Sequence, residues 1–172
     1  CDLVYHEILE SDIALQERLE AMFGPLRDES GVVDRKKLGT LVFGDPEKMA
    51  QLNAVAQQAT VDRTRQLVEE YRRQGRELVV IDAFALMESG LGELCDFTIA
   101  VMAPPEVRVA RTMAREGISE EYAWARARAH RPNEYYAAVC GYTLVNDCAA
   151  PEEFSRRARA LLCELLERNT ES

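Results

Sequence analysis

The sequence lacks the features that define several large classes of protein. No apolar run approaches the roughly 20 residues that a membrane-spanning helix needs. The five cysteines include no Cys-x-x-Cys pair, and the two histidines have no metal-ligand spacing with them, so no metal site can be assigned. With 30 acidic and 21 basic residues, the formal charge of -9 argues against binding to nucleic acid or to anionic membranes. We therefore expect a cytoplasmic protein with reduced thiols.

Lysine is scarce, and the arginines are unevenly placed. Three of the 21 basic residues are lysines, and none of these lies between positions 106 and 132. Six arginines do: Arg108, Arg111, Arg115, Arg126, Arg128 and Arg131. Arg111 and Arg115 share a face of one predicted helix and Arg126 is on the next, an arrangement that suits a polyphosphate clamp or lid. The alternative is a solvated helical face whose arginines pair with nearby acidic residues, Glu116, Glu120 and Glu121.

The order of the predicted elements is typical of a single α/β domain, which suits a chain of 172 residues. Continuous apolar runs at 78–82 and 97–103 predict strands buried on both faces of a parallel sheet, and 142–146 is a third predicted strand. Helical patterns follow these runs, and Asp34 and Asp45 are the predicted N-caps of two earlier helices. In such a sheet, ligands bind beyond the carboxyl ends of the strands.

Three carboxylates are predicted at or near strand ends: Asp2, Asp82 and Glu88. At that edge of an α/β sheet, a carboxylate can orient a metal ion or accept the proton of a hydroxyl group. The alternative for each residue is structural, because the same side chain can cap the helix that follows. The residues alone leave both interpretations open.

The chain as numbered contains no GxxxxGK[ST] motif, the loop that cradles nucleotide phosphates in P-loop proteins. Its one GxG, at Gly90 and Gly92, follows Glu88 in a short predicted turn and carries little weight. The numbered residues therefore offer no backbone nest for a β-phosphate and no lysine to reach a γ-phosphate.

The order of motifs along most of the chain resembles the dephospho-CoA kinase family. CDLVYH at 1–6 is similar to the end of the family's second strand, and VVID at 79–82 with LMESGL at 86–91 is similar to its third. The other matching motifs, in chain order, are GVVDRKKLG at 31–39, VFGDP at 42–46, CD at 95–96, APPEV at 103–107, RTMAREG at 111–117, SEE at 119–121 and YTLVN at 142–146. No single motif is decisive, but their shared order is specific.

The resemblance implies a fold and a reaction. The fold is a three-layer α/β fold of the P-loop NTPase type, related to nucleoside monophosphate kinases and built on a parallel sheet. Within one domain over 1–172, the resemblance implies a helical substrate-side region at 5–76 and a lid at 108–138. The reaction is the ATP-dependent phosphorylation of the ribose 3′-hydroxyl of dephospho-CoA, the last step of coenzyme A synthesis, with Mg²⁺ bridging the phosphates.

The resemblance also implies roles for individual residues. Asp2 corresponds to the acidic residue that orients or deprotonates the attacking hydroxyl, and Asn146 falls near the adenine site. The lid residues near the nucleotide are Arg111, Arg115 and Arg126. The residues on the substrate side are His6, Asp82 and Glu88.

The chain departs from the family pattern at its start. The family's first strand, P-loop and first helix, a unit of roughly thirty residues, are missing from the numbering. We therefore expect that the intact gene product is longer and that the chain as numbered is inactive alone. Without the missing strand, the runs at 78–82 and 97–103 would have edges with unpaired backbone groups.

Smaller departures cluster on the expected substrate and lid side. They are Gln57-Gln58, the segment 83–86, His130, Tyr136 and Gly141. These changes leave two alternatives open. One is a related small-molecule P-loop kinase with another acceptor, and the other is a non-catalytic protein that binds CoA or a nucleotide.

Overall fold

The computed structural model describes residues 1–28 and 31–170, and the side chains of Asp2, Asn169 and Thr170 lie outside the described part. The chain divides into two compact units, Cys1–Leu91 and Gly92–Ser172, and each is described by itself. Among the described residues, no helix combines the length and the apolar character needed to cross a membrane. The predicted limits of the single domain, the substrate-side region and the lid stay predictions.

Helices form most of the first unit. They are α1 (Asp2–Ser11), α2 (Ile13–Phe23), α3 (Arg35–Val42) and α4 (Pro46–Arg73). Asp12, Asp34 and Asp45 each precede a helix, and the carboxylate of each accepts a hydrogen bond from a backbone N–H of the first turn. The two N-caps predicted from the sequence, Asp34 and Asp45, are confirmed.

The core of the first unit lies where α4 contacts the three shorter helices. Leu19 of α2 and Leu26 have no exposed surface, and Leu9 and Val55 add buried side chains from α1 and α4. Burial of one such side chain contributes about 1.5–3 kcal/mol to folding. This cluster therefore fixes the position of α1, whose first residue is Asp2.

The strand predicted at 78–82 is wrong. The segment has no regular secondary structure, Leu78 and Val80 are 51% and 74% exposed, and turns follow from residue 84 to residue 90. A strand requires a neighbour that pairs with its N–H and C=O groups, and none of the described residues supplies one here. An apolar run indicates a tendency to be buried, but strand formation also depends on that partner.

The second unit contains two parallel strands, β1 (Ile99–Met102) and β2 (Tyr142–Val145), with Ile99 opposite Tyr142. The strands predicted within 97–103 and 142–146 are therefore confirmed. The prediction that both faces of the strand within 97–103 are buried is wrong, because Val101 is 61% exposed. Val101 and Val145, which is 41% exposed, point to opposite faces of the sheet, so within this unit neither face is fully covered.

The helices of the second unit are α5 (Pro105–Glu116), α6 (Glu120–Ala129), α7 (Asn133–Val139) and α8 (Pro151–Thr170). After α5, Gly117 adopts a left-handed conformation (φ 66°, ψ 25°), and its N–H donates to the carbonyl of Met113. Ser119 is the N-cap of α6, and its hydroxyl oxygen accepts a hydrogen bond from the N–H of Tyr122 at 3.3 Å. This short connection folds α6 back against α5.

Candidate functional site

A cleft between α5 and α6 is lined mainly by cationic side chains. Its volume is about 280 Å³. Its polar lining residues are Arg108, Arg111, Thr112, Arg115, Arg126 and His130. These residues define the arginine cleft, which lies wholly in the second unit. No carboxylate is among the described residues that line it, so the cleft suits an anionic ligand.

The helical spacing explains how the arginines converge. Arg108, Arg111 and Arg115 are three and four residues apart on α5, so they share one face of that helix. Arg126 comes from α6, which packs against α5. The sequence predicted this convergence for Arg111, Arg115 and Arg126, and the structure places all three at the arginine cleft. Their role in nucleotide binding stays a prediction.

Arg111 joins α5 to the end of β2. Its Nη1 donates to the carbonyl oxygen of Asn146 at 3.0 Å, and its Nη2 donates to the carbonyl oxygen of Cys148 at 2.9 Å. The backbone N–H of Asn146 donates to the carbonyl of Met102 at the end of β1. The predicted lid residue Arg111 and the predicted adenine-side residue Asn146 are thus in direct contact, and both lie at the carboxyl end of the sheet.

Glu116 connects the other two predicted lid arginines. Its Oε1 accepts a hydrogen bond from Arg115 Nη2 at 2.6 Å, and its Oε2 accepts one from Arg126 Nη1. The hydrogen bonds from Arg115 and then Arg126 hold the pKa of the Glu116 carboxyl below its ordinary value. The alternative interpretation of the sequence was that the arginines pair with acidic neighbours. Arg115 and Arg126 do so at Glu116.

Arg108 differs from the other arginines of the cleft. Its Nε is buried and has no hydrogen-bond partner among the described residues. Its backbone is held in place, because the Thr112 hydroxyl donates to the Arg108 carbonyl at 2.8 Å. The sequence placed Arg108 within the arginine set but did not predict that its side chain would be left without an acceptor.

The predicted substrate-side residues lie in the first unit. The side chain of Asp2, the predicted catalytic residue, lies outside the described part, and its backbone begins α1. His6 is exposed on α1, and its ring centroid is 6.1 Å from that of Tyr5. Glu88 is exposed within the turns at 84–90. The roles of these residues stay predictions.

The structure does bring the start of α1 together with Asp82, the last residue of the run at 78–82. The backbone nitrogen of Cys1 donates to the carbonyl oxygen of Asp82. The Cys1 thiol lies 3.7 Å from the Thr64 hydroxyl in the middle of α4. Asp82 and the residue before Asp2 are therefore neighbours through their backbones.

An ionic cluster in the first unit was missed by the sequence reasoning. Arg63 of α4 donates to Glu7 of α1 at 3.1 Å and to Glu70 at 3.0 Å. Arg63 also lines a second cleft of about 320 Å³, together with Asp12, Arg18 and other polar residues. The spacing of Arg63 and Glu70, two helical turns apart, is the signal that was available in the sequence.

Known proteins identify the family. The family model described as dephospho-CoA kinase matches residues 1–152. The chain belongs to the dephospho-CoA kinase family. It is 37% identical over 150 residues to a dephospho-CoA kinase of Thermus thermophilus, across 87% of this chain and 71% of that protein. It is 34% identical over 147 residues to the dephospho-CoA kinase of Bacillus anthracis, across 85% of this chain and 74% of that protein.

Solved structures show the same fold. A crystal structure of a Thermus thermophilus protein matches 95% of this chain and 82% of its own, with a TM-score of 0.67 and 34% identity. The dephospho-CoA kinase from Campylobacter jejuni has the same fold, with a TM-score of 0.68, 23% identity, and 98% and 84% of the two chains covered. The resemblance stated from the motifs is confirmed, as is the α/β class with a parallel sheet of the P-loop NTPase type. Members of this family are kinases, and the predicted enzyme class is confirmed with it.

Proposed function

We propose that the protein catalyses the ATP-dependent phosphorylation of dephospho-CoA at its ribose 3′-hydroxyl. The observation that carries this proposal is the arginine cleft in a chain whose residues 1–152 match the dephospho-CoA kinase family. A transferring phosphoryl group spreads negative charge over its oxygens, and arginine side chains from two helices are suited to stabilise that charge. The site of action is the cytoplasm, where the five free cysteines would remain reduced.

The lid arginines bind the polyphosphate of ATP in this proposal. Arg115 and Arg126 each use one nitrogen for Glu116, as the hydrogen bonds show, and a guanidinium has five N–H donors. Each arginine can therefore contact a phosphate oxygen while it keeps its bond to Glu116. Arg111 orients α5 against Asn146, which lies at the carboxyl end of β2, on the adenine side of the nucleotide.

Asp2 orients the attacking hydroxyl or accepts its proton. Support comes from the hydrogen bond between the backbones of Cys1 and Asp82, which holds the start of α1 beside Asp82. His6 and Glu88 complete the substrate side with Asp82. A carboxylate within hydrogen-bond reach of the hydroxyl would raise the nucleophilicity of its oxygen as the phosphoryl group moves.

Magnesium would enter this site with the nucleotide. No three His, Cys, Asp or Glu side chains converge to form a metal cage in the described part of the chain. Mg²⁺ in kinases is held largely by substrate phosphates, water and one or two carboxylates, so these residues fit an ion that arrives as MgATP. When bound, the ion neutralises charge on the β- and γ-phosphates.

A phosphotransfer assay on the complete gene product tests the proposed reaction. We expect transfer from ATP to dephospho-CoA with a higher kcat/KM than to any nucleoside monophosphate. Equal or better use of the monophosphates would contradict the proposal and favour a related kinase with another acceptor. Tight binding of CoA without transfer to any acceptor would favour the non-catalytic alternative.

The roles of Asp2 and Arg115 are tested by separate variants. Asp2→Asn should leave ATP affinity intact while transfer falls steeply, and an equal loss of ATP affinity would mean that Asp2 serves the metal ion.

Arg115→Ala should lower turnover more than stability, because a lost phosphate contact removes transition-state stabilisation. Unchanged kinetics with a lower melting temperature would mean that Arg115 serves only its ion pair with Glu116.

A further inference from the structure

The four arginines of the arginine cleft differ in how their side chains are occupied. Arg111 donates to two backbone carbonyl oxygens. Arg115 and Arg126 share the carboxylate of Glu116. The guanidinium of Arg108 has no acceptor among the described residues, although its Nε is buried. Arg108 is therefore the arginine of this cleft whose charge is not met by a protein acceptor in the described part of the chain.

A buried donor without an acceptor is costly. A buried polar group that lacks a hydrogen bond has lost its hydration without compensation, and the loss is larger for a charged group. Arginine cannot escape this cost by losing its proton, because the guanidinium group stays protonated in proteins. In a native protein such a group calls for an explanation, and satisfaction by a partner other than the protein is one of the recognised explanations.

The surroundings of Arg108 indicate what that partner is. Arg111 and Arg115 lie on the same face of α5, and Arg126 faces them from α6. A neutral or cationic ligand would leave this charge uncompensated, whereas a phosphate group offers several acceptor oxygens to adjacent guanidinium groups. The Thr112 hydroxyl fixes the backbone of Arg108, so the side chain is anchored from a rigid helix.

We propose that Arg108 is a further polyphosphate-binding residue of the arginine cleft. Before a ligand binds, no acceptor in the described part of the chain neutralises the charge of its guanidinium. The inference rests on the proposed function, in which the cleft receives the phosphates of ATP. Phosphate oxygens accept hydrogen bonds from the Arg108 guanidinium and so satisfy the donor that the protein leaves without a partner. Arg111 remains with its carbonyl partners, and Arg115 and Arg126 keep Glu116.

The experiment measures the affinity of inorganic triphosphate for the complete gene product by titration calorimetry. We expect Arg108→Gln to weaken binding by about tenfold or more, because it removes charge-assisted hydrogen bonds. Arg128→Gln is the matched control. It removes an arginine from α6 that stacks on Trp124 at 5.5 Å and is outside the lining of the cleft. Its affinity should stay within about twofold of the wild type, since exposed charges are screened by salt.

A second measurement uses only the wild-type protein, so its result does not depend on correct folding of the variant. An arginine-selective dicarbonyl reagent is applied with and without triphosphate, and modified residues are located by mass spectrometry. Triphosphate should slow modification at Arg108 and leave Arg128 unaffected. A rate at Arg108 that triphosphate does not lower would overturn the proposal, as would equal triphosphate affinity in Arg108→Gln and the wild type.

The two hypotheses fail in different ways. If the wild type transfers phosphate to dephospho-CoA but Arg108→Gln binds triphosphate normally, the inference about Arg108 is wrong and the proposed function stands. If triphosphate binds through Arg108 but dephospho-CoA is not phosphorylated, the proposed function is wrong and the polyphosphate site stands. Failure of the wild type to bind triphosphate overturns the inference directly.

Discussion

Arg111 donates a hydrogen bond to the carbonyl oxygen of Asn146 at 3.0 Å, which joins helix α5 to the residue that follows strand β2. The family resemblance predicts that both residues lie near a nucleotide, Arg111 at its phosphates and Asn146 near its adenine. The structure adds that Arg111 has a structural task before any ligand arrives. Variants at this and other positions separate structural tasks of this kind from binding and catalysis.

Arg111→Lys should lower the free energy of unfolding by about 1–2 kcal/mol, since lysine cannot bridge the carbonyl oxygens of Asn146 and Cys148 as the forked guanidinium does. Urea denaturation of the variant and the wild type measures this difference. Arg128→Lys, at the exposed face of α6, is the control and should change little. Unchanged stability together with weaker ATP binding would mean that the ligand, not the sheet, depends on Arg111.

Glu116→Gln should remove a stabilisation that depends on pH. The bonds from Arg115 and Arg126 hold the pKa of Glu116 below the ordinary glutamate value of about 4.3. A carboxyl whose pKa is lowered in the folded state stabilises the protein when ionised. That stabilisation is complete above the unfolded-state pKa and is lost as the pH falls through the lower folded-state pKa.

The measurement for Glu116 is the urea midpoint across the pH range. The wild-type midpoint should exceed that of Glu116→Gln by a constant amount above about pH 5.5, and the difference should vanish under acid conditions. Glu121→Gln is the matched control, because Glu121 is exposed on α6 and has no ion pair among the described residues. A difference that persists unchanged in acid would show that the Glu116 charge is not its cause.

Gly117→Ala should destabilise the second unit. Gly117 ends α5 with a φ of 66°, a conformation that costs a residue with a Cβ about 1–2 kcal/mol. Gly39→Ala is the opposite case, because Gly39 lies within α3, has no positive φ, and has open space for a methyl group. That change should raise stability by about 0.5–1 kcal/mol. A gain in thermal stability at both positions would mean that the backbone at Gly117 readily leaves the left-handed region.

Leu19→Ala should cost about 2–5 kcal/mol, because the leucine side chain is wholly buried among α1, α2 and α4. Leu3→Ala on α1 is the control, since Leu3 is 83% exposed and its loss should change stability by less than about 0.5 kcal/mol. Chemical denaturation of both variants makes the comparison. Similar losses at the two positions would contradict the assignment of the core.

The helix starts were predictable from the sequence because their signals are local. Asp34 and Asp45 stand directly before the N–H groups that they cap, so the chain itself brings donor and acceptor together. The common face of Arg111 and Arg115 was predictable for a similar reason, since helical geometry fixes the direction of residues four apart. The family resemblance followed from the order of such local motifs.

The errors concern partners that lie far away in the sequence. The run at 78–82 has the composition of a strand, but pairing depends on a neighbour that composition does not identify. The exposure of Val101 and Val145, on opposite faces of the sheet, likewise depends on which layers cover each face. The sequence offered pairing with Glu116 as an alternative. It could not assign each arginine to a backbone carbonyl, to Glu116 or to no acceptor, because that assignment follows from the packing of α5 against α6 and β2.

The closeness in sequence of the two walls of the arginine cleft sets when it forms during folding. Glu116 and Arg126, which bond across the two helices, are 10 residues apart, whereas Thr98 and Gly141, which bond beside the start of the sheet, are 43 apart. Closing a short loop loses less chain entropy, and contacts between residues near in sequence form sooner. We therefore expect the α5 and α6 hairpin to form early in the folding of this unit, before β1 pairs with β2.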